Sequence, residues 1–328
     1  MLMKSRPRRL RQNTQIRDMI SENSLKASDL IAPLFFIEGE NKKVPIDSMP
    51  GQFRLSIDLL VEHVKSLANL GIKCVALFPA VEESLKTSDA KEAYNPDGLN
   101  QRAVRAVKEA CPNILIMTDV ALDPYNSDGH DGLVDKDSGE ILNDETLEIL
   151  AKMALTQAQA GSNILGPSDM MDGRVEKIRK ILDENGFHNV MIMSYTAKYA
   201  SSFYGPFRDA LDSAPKAGDK KTYQMDFRNS HEAIKEMHLD EVEGADILMV
   251  KPGISYLDVV QKLKENSQLP IAVYNVSGEY AMVKAAAEKG WLDEQQIMIE
   301  MLTSFKRAGA DIILTYFAHD MAKLLKDH

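Results

Sequence analysis

The stretch "EGADILMVKP", residues 243–252, ends a helical pattern at a glycine, passes over small and polar residues, and runs apolar until Lys251 and Pro252 interrupt it. A glycine takes the left-handed turn that closes a helix at little cost, and a strand covered on both faces loses its alternation of polar and apolar side chains. The same order recurs in "LGIKCVALFP" (70–79), "AGSNILGPS" (160–168) and "AGADIILTYF" (308–317). Four further apolar runs, "IAPLFF" (31–36), "ILIMT" (114–118), "VMIMS" (190–194) and "IAVYN" (271–275), bring the predicted strands to eight. Between them lie amphipathic stretches of helical length, such as "SIDLLVEHVKSLANL" (56–70) and "RVEKIRKILDEN" (174–185). This alternation predicts a (β/α)8 TIM barrel over residues 29–328, with a doubly wound open sheet as the alternative. Residues 1–28 precede the first strand and are read as an N-terminal arm for subunit contacts, helical around "TQIRDMIS".

The chain has 328 residues, 44% of them hydrophobic, which suits one large domain with a substantial core. Its formal charge of -10 opposes binding to nucleic acid or to an anionic membrane. The local exception is "RPRRLR" in the arm, read as a subunit contact. No apolar run approaches the roughly 18 residues of a membrane span, and no secretory signal follows the charged start. Cys74 and Cys111 are too few for a disulfide framework, so a cytoplasmic location is expected.

In a barrel of this kind the chemistry sits at the carboxyl ends of the strands. There the sequence places Asp119 after the third strand, Ser168 and Asp169 after the fourth, Tyr195 and Lys198 at the fifth, Lys251 at the sixth, Ser277 past the seventh and Tyr316 past the eighth. A single strand-end lysine can simply reach water. Two on neighbouring strands disfavour each other's charge, and burial acts in the same direction, which makes a neutral, carbonyl-attacking amine accessible near pH 7. The segment "YASSFYGPFRDALDSAPKAGDKKTYQ" (199–224) has no clear apolar period and is read as a lid. Arg208, Lys220 and Lys221 would bring cations over the mouth, and its aromatic residues would exclude water.

The segments "MSYTAKYASSFYGPFRDA" (193–210), "DILMVKPG" (246–253), "VSGEYAM" (276–282) and "GPSDMMDGRV" (166–175) closely resemble the motifs of the porphobilinogen synthase (5-aminolaevulinate dehydratase) family. The likeness extends from "RPRRLR" to "TYFAHDMAKL" (315–324). It implies a hydro-lyase that condenses two 5-aminolaevulinate molecules with loss of two waters, in the formation of haem, chlorophyll and corrins. By that resemblance Lys251 holds the molecule that becomes the propionate side, and Lys198 holds or activates the other. Ser277 and Tyr316 fall on the first carboxylate's contacts; Arg208 and Lys220 fall on the second's, Lys220 where many relatives carry arginine. Asp119 stands where a carboxylate could shuttle protons.

Within "DVALDPYNSDGHDG" (119–132), zinc-dependent members of the family carry three cysteines where this chain has Ala121, Asp123 and Asp131. Carboxylates favour hard cations or none, so no three-cysteine zinc site is expected; Asp123 and Asp131, with His130 as a weak ligand, remain candidates for a hard cation. Glu236, on "SHEAIKEMHLDEVE" (230–243), matches a family magnesium position outside the active site, where Mg2+ would act allosterically by favouring an assembly. The resemblance also implies a homo-octamer of arm-exchanging dimers. Rival readings are a class I aldolase or other Schiff-base lyase acting on a different keto acid, and a barrel that has lost catalysis and serves as a binding protein.

Overall fold

Eight parallel strands close on themselves in the computed structural model, which describes residues 4–327. They are β1 (Leu30–Ile37), β2 (Cys74–Pro79), β3 (Leu115–Val120), β4 (Ile164–Pro167), β5 (Met191–Lys198), β6 (Ile247–Lys251), β7 (Ile271–Asn275) and β8 (Ile312–Thr315). Each pairs with the next in the chain, and Leu30 and Ile31 of β1 meet Ile313 and Leu314 of β8, which seals the barrel. The open-sheet alternative is thereby removed, because an open sheet leaves its first and last strands unpaired.

The glycine grammar has the expected physical basis. Gly244 and Gly309 end the helices His231–Glu243 and Glu294–Ala308 at φ 104° and 112°, so each following strand starts at once. Every residue of β2, β4, β6 and β7 is buried, as strands between an inner core and an outer helical layer must be.

Two features depart from the sequence expectation. A small hairpin, Lys43–Pro45 with Phe53–Ser56, adds to the outer edge of β1, pairing Phe35–Ile37 with Arg54–Ser56. The lid is not irregular throughout: it holds a helix, Gly205–Leu211, preceded by a single turn at Ser202–Tyr204. The arm holds a short turn at Pro7–Arg11 and a helix at Thr14–Met19, and no residue from 4 to 28 is buried. Residues 1–3 and 328 of the expected arm and barrel lie outside the described residues.

Candidate active site

Lys198 and Lys251 are register partners at the last rungs of β5 and β6, so both stand at the same height on adjacent strands. Each is only 6% exposed. Their surroundings differ. Lys198 donates to Asp131 Oδ2 at 3.2 Å and to the carbonyl of Ser168. Lys251 has no hydrogen-bond or ion-pair partner among the described residues. Its ammonium position faces rings instead: Tyr274 at 4.5 Å, Phe207 at 5.0 Å, and Tyr195 and Tyr204 at 5.1 Å from the centroids.

Burial, then the charge of Lys198, lowers the Lys251 amine to about 7, against the pull of Asp119, Asp123 and Asp131. The like charge of Lys198 adds to the effect of burial, since two cations in a poorly hydrated cup disfavour each other. Asp131 beside Lys198 offsets much of that repulsion, so removal from water is the leading cause. The aromatic rings attract a cation by ~2 kcal/mol or less each and do not restore the lost hydration.

Asp119 is the next-to-last residue of β3, paired with Gly166 of β4. It is half-buried. Burial, followed by the nearby Asp123, pushes its carboxyl up to about 6, while Lys198 and Lys251 pull it down. An acid in that range can give and take protons near neutral pH. Asp131 behaves oppositely: burial pushes it up, but Lys198 and Lys220 overcome this and hold it far below the usual carboxylate range.

The lid reaches down into this cluster. Lys220 donates to Asp131 Oδ1 at 2.6 Å and to Asp123 Oδ2 at 3.4 Å. The Asp123–Asp131 pair is thus neutralised by lysine ammoniums, Lys220 standing between the two carboxylates. Among the described residues no three His, Cys, Asp or Glu side chains converge to hold a metal. In this arrangement the pair does not fit a resident cation. His130 is also committed: Nε2 meets the Ala217 carbonyl at 2.9 Å and Nδ1 the Tyr223 hydroxyl at 3.1 Å. It bonds the lid on both nitrogens.

Of the other expected contacts, Arg208 makes no ion pair among the described residues and lines a cavity of about 540 Å³ with Lys220, Lys221 and Gln224. Ser277 Oγ accepts from Phe207 N at 3.0 Å and donates to the Phe203 carbonyl at 3.3 Å. Tyr316 shares a 2.8 Å hydrogen bond with Tyr274 and stacks on Phe35. The structure therefore gathers Lys198, Lys251, Asp119, Asp123, Asp131 and Lys220 in one cup, with Ser277 and Tyr316 on its β7–β8 side. Glu236 lies apart, on the outer helix. Sequence reasoning missed Tyr274, which the strand-end rule overlooks because it sits inside β7, and Arg54, which donates to the lid carbonyls of Asp209 and Ala210 at 2.6 Å each. The hydroxyl of Tyr204 reaches the Tyr199 carbonyl at 2.7 Å and the Lys251 carbonyl at 3.2 Å, fastening the lid's root to β6.

A closed (β/α)8 barrel whose carboxyl face gathers two buried, side-by-side lysines and a cluster of buried carboxylates has the architecture of a barrel enzyme. The model of the family "Delta-aminolevulinic acid dehydratase" matches residues 4–324. The chloroplastic delta-aminolevulinic acid dehydratase of Chlamydomonas reinhardtii is 54% identical, covering 98% of this chain and 84% of that protein. The Synechocystis enzyme of the same name is 51% identical, covering 98% of each. The crystal structure of the Toxoplasma gondii delta-aminolevulinic acid dehydratase (porphobilinogen synthase), in complex with its reaction product porphobilinogen, superposes with a TM-score of 0.98 at 55% identity, covering 99% of this chain and 93% of that one. The chain belongs to the delta-aminolevulinic acid dehydratase family.

Proposed function

We infer that this barrel is a porphobilinogen synthase, joining two molecules of 5-aminolaevulinate with loss of two waters, and that Lys251 makes the first covalent capture. The observation that carries the assignment of roles is the asymmetry of the pair: both amines are in register, yet only Lys251 lacks a carboxylate partner. Its neutral amine attacks the ketone carbon of the first substrate, and loss of water leaves an imine. Ser277 and Tyr316 supply hydroxyl donors for that substrate's carboxylate once they exchange their present partners. Lys198, supported by Asp131, receives the second ketone, and Arg208 with a released Lys220 receives its carboxylate. Asp119 moves protons during the two dehydrations. The Lys251 and Lys198 imines hold the reacting carbons one strand apart, which turns a bimolecular condensation into a local one.

Borohydride reduction with 5-aminolaevulinate, followed by peptide mapping, tests this. Adducts on both lysines together with pyrrole formation are expected. An adduct on one lysine without pyrrole would favour a single-lysine aldolase or related lyase on another keto acid.

We assign magnesium to the outer site, where one carboxylate with several waters suffices, rather than to the cup. Glu236 lines a cleft of about 340 Å³ with Glu232, Asp172 and Asp226, alongside Met170 and Lys221, and among the described residues the carboxylates do not converge on one point. Burial and the neighbouring Asp240, Asp172 and Glu232 raise the Glu236 carboxyl, against Arg174. A hard cation that keeps most of its waters suits such a cleft, and would there relieve carboxylate repulsion. We propose that Mg2+ bound at Glu236 favours an assembly of this chain, an octamer built through the exposed arm.

A further inference from the structure

Glu279 is fully buried on the first turn of the helix Ser277–Glu288, two residues past Ser277. Its Oε1 accepts from the amides of Gly253 at 3.1 Å and Ile254 at 2.6 Å, in the turn directly after Lys251. Its Oε2 accepts from the amide of Val276 and from Asn275 Nδ2, both at 2.9 Å, directly before Ser277. One carboxylate therefore joins the end of β6 to the end of β7. Burial pushes it up to about 7, against the pull of these donors. All four partners are N–H groups, so a proton on either oxygen would set two hydrogens against each other.

The same helical turn also carries the root of the lid. Ser277 bonds Phe203 and Phe207, and Gly278 lies so close to the Phe203 backbone that an added Cβ would sit 2.6 Å from its carbonyl oxygen. The lid, the Lys251 turn and Ser277 are thus fixed relative to one another through one short segment, and Glu279 is its link to Lys251.

We propose that Glu279 is a positioning residue that sets the span from Lys251 to Ser277, and with it the separation between ketone and carboxylate in the keto acid the site accepts. It touches no reacting atom. This rests on the reading of Lys251 as the imine-forming lysine and Ser277 as a carboxylate donor.

The test is borohydride trapping at Lys251 of 4-oxopentanoate, which has the substrate's ketone-to-carboxylate span, and of 5-oxohexanoate, one methylene longer. It is run on the full-length wild type, Glu279→Gln and Glu279→Asp, with folding checked by thermal melting. The wild type should prefer the shorter acid by ~10-fold or more, the usual worth of a misplaced methylene. Both variants should lose at least ~5-fold of that preference. If both acids slow equally and the ratio holds, Glu279 is merely structural and the proposal falls. If Glu279→Gln does not fold, the ratio in Glu279→Asp decides. If the wild type gives no Lys251 adduct with either acid, the imine reading itself is overturned.

Discussion

Lys251 is a buried amine lowered to about 7 chiefly by burial, and that has a sign for both activity and stability. Imine trapping at Lys251 should rise with pH through about 7 and then level, because only the neutral amine attacks. In Lys198→Met the midpoint should move upward, since the neighbouring positive charge is gone. Between about 7 and the usual lysine value the unfolded chain binds the extra proton and the folded chain does not, so this residue's contribution to stability rises with pH across that window. Lys251→Met should accordingly abolish trapping while raising Tm by a few degrees at pH 7, measurable by calorimetry. Asp119→Asn should lower kcat by ~10²–10⁴ and remove a limb near pH 6 from the pH–rate profile. The lysines were legible in the sequence as a pair: one strand-end lysine can simply reach water, but two on neighbouring strands point to one mouth. Glu279 was not: next to a helix start, a glutamate looks like an ordinary capping residue. Lys220 was legible as a cation near the mouth, but its partners were not, since Asp123 and Asp131 lie 97 and 89 residues away.

The strands were read correctly as elements because burial on both faces writes an unmistakable apolar run, and the glycine before several of them marks the end of a helix. The Lys43–Pro45 and Phe53–Ser56 hairpin escaped notice because its strands are three and four residues long, too short to write a period, and the first is exposed throughout. The lid helix Gly205–Leu211 escaped because at seven residues it is too short to show an apolar period. These two elements meet through Arg54, whose guanidinium holds the carbonyls of Asp209 and Ala210 at the helix end. Hydrogen bonds from a charged donor are worth ~1.5–3 kcal/mol. Arg54→Ala should thus leave the barrel's melting nearly unchanged, yet raise KM about tenfold and speed proteolytic cleavage within residues 212–222.

At the scale of the molecule, the arm and the Glu236 cleft are proposed to act in assembly rather than in chemistry. No residue from 4 to 28 is buried, so the arm gains little from its own barrel. Removing residues 1–28 should yield smaller, less active particles by light scattering while the barrel stays folded by circular dichroism. Chelation should shift the size distribution the same way, with recovery on adding Mg2+; Glu236→Gln should be insensitive to both treatments.

The pairing of Lys198 with Lys251 across neighbouring strands has one more consequence. Side chains alternate sides along a strand, so a slip by a single rung in either would turn one amine outward into the helical shell. The two amines therefore share one cup only in this register, so the proposed chemistry is set by the settled ladder.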